Sequence, residues 1–84
     1  MYASIPAVTG KQLIRLFQKD SWVVGRKAKH GMTLRKRVGN RTRVTFVPDT
    51  RASLPIGTLR EILGTKQTGI GKNGLLKLLN KYGI

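Results

Sequence analysis

A single histidine, His30, lies in the most basic stretch of an 84-residue chain, Gly25-Arg26-Lys27-Ala28-Lys29-His30-Gly31-Met32-Thr33-Leu34-Arg35-Lys36-Arg37. It is the one side chain there that can take up and return a proton near neutral pH. The cations around it suit a polyanion, because each phosphate they neutralise releases condensed counterions. Eight Lys/Arg fall between Arg26 and Arg43, and no acid occurs between Asp20 and Asp49. RNA brings its own nucleophile, the 2′-hydroxyl, so a protein that cuts it need only move protons and neutralise charge developing at phosphorus. One histidine among several cations is the minimum set for that chemistry.

Other chemistries lack their residues. The three acids, Asp20, Asp49 and Glu61, are too few and too scattered in sequence to hold a metal pair. One histidine and no cysteine fall short of the usual zinc ligand set and exclude a thiol nucleophile. A serine triad would need an acid to orient His30. Gly69-Ile70-Gly71-Lys72 has neither the spacing of a phosphate-binding loop nor a strand before it, and reads as a flexible connector. No cofactor is expected.

Composition sets the frame. Seventeen Lys/Arg against three acids give a formal charge of +14, and self-repulsion on that scale points to stabilisation by an acidic partner. At 84 residues the chain is expected to form one domain with a thin core. The stretch Met1 to Val8 makes a poor signal peptide, and no apolar run approaches the roughly 20 residues of a membrane span. A cytoplasmic protein is the expectation.

The elements that must carry His30 can be read in order. Thr9 and Gln12 are spaced as a capping box, with Val8 and Leu13 as a staple, and Leu13, Ile14, Leu16 and Phe17 then make an apolar stripe opposite Lys11, Arg15 and Lys19. Trp22, directly after this helix, reads as core rather than as a stacking surface. Trp22-Val23-Val24 opens a strand ending near Lys27, Met32-Thr33-Leu34 makes a second, and Gly39-Asn40 turns into a third. On that third strand the alternation assigns Thr42, Val44 and Phe46 to the core, and Arg41, Arg43, Thr45 and Val47 to a largely basic outer face. Pro55 starts a second helix with Ile56, Leu59, Ile62 and Leu63 on one side and Gly64 as its stop. Leu75, Leu76, Leu78, Leu79 and Tyr82 mark a short third helix.

The expected fold is α+β, in the order α-β-β-β-α with an extra C-terminal helix. Its three-stranded antiparallel sheet has helices on one face, the layout of double-stranded RNA-binding domains. Within a single domain, residues 1–8 form an arm, 9–63 the core and 64–84 a connector and C-terminal helix.

The succession Thr9-Gly10-Lys11-Gln12-Leu13-Ile14-Arg15-Leu16-Phe17, Asp20-Ser21-Trp22, Lys27-Ala28-Lys29-His30, Val47-Pro48-Asp49 and Gly57-Thr58-Leu59-Arg60-Glu61-Ile62-Leu63 resembles the HicA toxin family. The likeness runs from about Thr9 to Leu63, and the tail from Gly69 to Leu79 is similar to an extra helix that some members carry. It implies a double-stranded-RNA-binding-domain-like fold, metal-independent cleavage of mRNA, and a HicB antitoxin covering the active site. The family's catalytic histidine follows a Gly-Ser pair at the start of the second strand, and His30 takes that place. Ala28 stands for the glycine, Lys29 for the serine, and Gly31 for a frequent second histidine.

On this reading the chain is an endoribonuclease toxin acting on single-stranded or locally unpaired mRNA, with His30 as general base or acid. Arg26, Lys27 and Lys29 hold the scissile phosphate, while Lys11, Arg35, Arg37 and Arg43 steer RNA to the sheet. Two alternatives remain open: a non-catalytic RNA-binding module, and a ribosomal-protein-like structural RNA binder.

Overall fold

Thr9 sets the first element. In the computed structural model, which describes residues 2–84, its extended backbone makes it the N-cap of α1 (Gly10–Lys19). Thr9 Oγ1 accepts from the Gln12 N–H at 3.1 Å, and Gln12 Oε1 accepts from the Thr9 N–H at 2.9 Å, completing the capping box. Leu13, Ile14, Leu16 and Phe17 are buried, and Arg15 and Lys19 are exposed. The helix closes in a Schellman motif: the Ser21 N–H donates to Gln18 O at 3.2 Å and the Trp22 N–H to Phe17 O at 3.0 Å. The two aromatic rings at its ends, Phe17 and Trp22, lie 5.6 Å apart, supplying the motif's apolar contact. Trp22 is buried, as core.

Three antiparallel strands follow in spatial order β1-β2-β3: β1 (Val23–Ala28), β2 (Gly31–Val38) and β3 (Arg41–Pro48). β2 is longer than the sequence signal Met32-Thr33-Leu34, because Arg35, Lys36 and Arg37 continue it against Val44, Arg43 and Thr42. On β1, Val24 pairs with Leu34 and Arg26 with Thr33, which leaves Gly25 as a bulge.

The alternation read on β3 is real, but its faces are reversed. Thr45 and Val47 are buried at 1% and 0% exposure, whereas Val44 and Phe46 are 49% and 41% exposed, and Thr42 is exposed as well. The cause is register. β2 has one large aliphatic side chain that must be inside, Leu34, and its cross-strand partner is Thr45, with Met32 opposite Val47 and Val24 opposite Leu34 on the other side. Burying that row turns Val44 and Phe46 outward, however apolar they are.

The helices cover the Leu34 side. α1 and α2 (Ile56–Leu63) pack on β3, and α3 (Gly71–Tyr82) packs on both helices. Leu59, Ile62 and Leu63 of α2 are buried, but Ile56, placed on the same stripe by its spacing, is 62% exposed in the first turn. α3 is no appendage. Leu75 and Leu79 are as buried as the residues of α1, so the C-terminal helix belongs to the one core. The arm is fixed too: Asn80 Nδ2 donates to Tyr2 O at 3.0 Å, and the Leu54 N–H to Val8 O at 2.8 Å.

The connector before α3 reads in sequence as flexible, yet it is tied to the sheet. Gln67 Oε1 accepts from Thr45 Oγ1 at 2.6 Å and from the Phe46 N–H at 3.3 Å, so a loop side chain occupies the open edge of β3. Buried Thr68 donates through Oγ1 to Ile62 O at 2.7 Å.

Candidate active site and nucleic-acid interface

His30 lies one residue earlier than the strand start at which the sequence reading put it. Ala28 pairs with Gly31, so Lys29 and His30 are the two residues of the β1–β2 turn, and both are exposed. The turn is held through its main chain, since the Asp49 N–H, just beyond β3, donates to His30 O at 3.3 Å. The Asp49 carboxylate is turned elsewhere and accepts from Lys11 Nζ at 2.8 Å. That hydrogen bond holds the Asp49 carboxyl below its ordinary value of 3.8; partial desolvation opposes the effect, and attraction to Lys11 and Lys27 adds to it. Lys11 and Asp49 therefore form an ion pair behind the turn, within the field of Lys27, and the pair borders a groove between α1 and the sheet.

The open face of the sheet is ordered in rows. Nearest the turn is a bed of small residues, Ala28, Gly31 and Pro48. Next comes Arg26–Thr33–Phe46, then Val23–Arg35–Val44, then Arg37 opposite Thr42. No acid stands in any of these rows. The Phe46 ring leans diagonally back over Gly31: a β-carbon built on Gly31 would lie 2.7 Å from Phe46 Cζ and 2.5 Å from Val47 O. The exposed aromatic ring thus borders the residue next to His30.

The eight residues singled out from sequence do not form one surface. Arg26, Arg35 and Arg37 share the open face, and Lys29 and His30 cap its end. Lys11 and Lys27 lie on the helix side of the sheet with Asp49. Arg43 is also on the helix side, where its Nη1 donates to Thr65 O at 2.9 Å and Gln67 O at 3.2 Å, fastening the connector to β3. Lys36, on the same side, is paired with Asp20 at 3.1 Å. Sequence reading missed Phe46 as a surface residue; the signal that finds it is the Leu34–Thr45 register.

His30, Asp20, Asp49 and Glu61 are the only candidate metal-ligating side chains of their types, and no three come together among the described residues. No described helix is long and apolar enough to cross a membrane. No protein-family model, no curated protein and no solved structure matches this chain.

Proposed function

We propose that this chain is a metal-independent endoribonuclease of the HicA type, acting on mRNA in the cytoplasm, with a double-stranded-RNA-binding-domain-like fold. The observation that carries the reading is the position of its only histidine: solvent-exposed, at the tip of a hairpin beside Lys29, at the end of an acid-free sheet face bearing Arg26, Arg35 and Arg37. A substrate phosphate at this tip is within reach of both a proton acceptor and fixed positive charge.

In the proposed reaction His30 takes the 2′-hydroxyl proton as O2′ bonds to phosphorus. The P–O5′ bond breaks, the leaving oxygen collects a proton from water, and a 2′,3′-cyclic phosphate and a 5′-hydroxyl result. Lys29 and Arg26 offset charge on the phosphorane oxygens. The departures from the family pattern are compatible with this geometry. Ala28 lies in extended β1 and has no need of glycine's freedom, and Lys29 adds a cation where the serine would be. At position 31 the β-carbon of a second histidine would collide with Phe46 and Val47, so glycine suits that place here.

The test is cleavage of an mRNA fragment in EDTA by wild type and by His30→Ala. Loss of cleavage in the variant supports the reading; equal rates sink it. A HicB-type antitoxin laying carboxylates over the same tip would compete with RNA, so saturating antitoxin should release bound RNA. The non-catalytic RNA-binding reading draws on one observation: no hydrogen bond among the described residues orients the His30 ring, which leaves alignment to the substrate.

A further inference from the structure

The open sheet face carries a feature that phosphate binding alone does not use. Phe46 is 41% exposed at the β3 end of the row that begins with Arg26, and the next row carries Arg35 between Val44 and Val23, which are 49% and 54% exposed. Among the described residues nothing covers this face, and the three helices lie on the other side. Arg26 stands in the same row as Phe46, two strand spacings away, roughly 10 Å. The small-residue bed of Ala28, Gly31 and Pro48 leaves the path from Phe46 to the His30 turn free of large side chains.

We propose that this face is a platform for single-stranded RNA, on which Phe46 stacks one unpaired base while Arg26 and Arg35 hold the flanking phosphates and lead the strand to the Lys29–His30 turn. The proposal rests on the RNA-cleaving reading of His30 and adds how the unpaired strand is held, by a stacked base as well as by its phosphates. An aromatic ring can stack only on a base that is free of its own neighbours, whereas a duplex offers phosphates, 2′-hydroxyls and base edges but no free base face. The occupant is a polyanion rather than an apolar protein surface, because arginines interrupt the valines and the phenylalanine, and the rows hold no acid.

The experiment uses short 2′-O-methyl RNA, which lacks the attacking hydroxyl and stays intact, with one abasic position moved along it. Wild type should lose affinity on the order of 5- to 100-fold when the abasic position meets Phe46. Phe46→Leu, which keeps an apolar side chain over Gly31, should bind the intact strand with that lower affinity and no longer sense the abasic position. Phe46→Tyr should behave as wild type. If wild type binds intact and abasic strands equally at every position, the face does not stack bases, and its exposed apolar residues serve a protein partner instead. Binding to an uncleavable strand does not depend on His30 chemistry, so this result and the EDTA cleavage assay can fail separately.

Discussion

The two hairpin turns at the ends of β2 have the same length and opposite chemistry. Gly39 and Asn40 join β2 to β3, and Gly39 takes a φ of 61° at the first central position, the φ pattern of a type II′ turn whose twist suits the strands it joins. Lys29 and His30 join β1 to β2 with no positive φ at either residue, and neither is a turn former. One turn follows from local preference. The other is held from outside, by the Asp49 N–H on His30 O and by the close seat of Gly31 under Phe46 and against Val47. Where residue choice goes against local preference and tertiary contacts compensate, function is the usual reason. Here the residues that local preference does not explain are a proton-transfer group and a cation.

The largest effect expected from this contrast is chemical. His30→Ala should lower the cleavage rate by roughly 10²- to 10⁴-fold, with the thermal midpoint and RNA affinity nearly unchanged. Exchanging the pair, Lys29-His30→Asn-Gly, sharpens the point. A turn-forming pair should raise stability by about 0.5–1 kcal/mol and abolish cleavage, as read by denaturant unfolding and by the EDTA assay. A double variant that is destabilised would mean that the Lys29–His30 turn is favoured for folding after all. In the other hairpin, Gly39→Ala forces a β-carbon into left-handed backbone with open space around it. It should cost about 1 kcal/mol and leave cleavage untouched. Slower cleavage in that variant would show that the two ends of β2 are coupled.

The same contrast explains how much could be read from sequence. Thr9, Gln12 and the stripe from Leu13 to Phe17 are local signals, and they gave α1 and its cap directly. Gly39-Asn40 gave the second hairpin for the same reason. The inner face of β3 is a different kind of fact. Its own pattern favoured Val44 and Phe46, and only pairing with Leu34 reverses that choice. From its place in the chain α3 reads as an extra helix added to the fold, whereas Leu75 and Leu79 lock it into the core from a distance. For the candidate site, His30 and its basic surroundings were visible in one stretch of chain. The division of those cations between two sheet faces was not, since the Gly25 bulge fixes which of Arg26 and Lys27 faces outward.

The smallest effect concerns the outside support of the His30 turn and has a definite sign. Asp49 has its folded carboxyl held below the ordinary value of 3.8, through Lys11 first and with added attraction from Lys27. A lowered pKa means the folded state favours the ionised form, so its contribution to stability is fully present above about pH 4 and is lost as pH falls through the folded value. Asp49→Asn keeps the main-chain N–H that holds His30 O but has no charge to lose. The thermal midpoint of wild type should therefore fall more steeply than that of Asp49→Asn below about pH 4, while the two curves run parallel from pH 5 to 7. Cleavage at pH 7 should survive the substitution with a modest loss, because the turn is held by the backbone and only the Lys11 seat is loosened. Identical acid slopes would remove the Lys11–Asp49 pair from the support of this turn. A loss of cleavage as large as that of His30→Ala would instead move Asp49 into the chemistry.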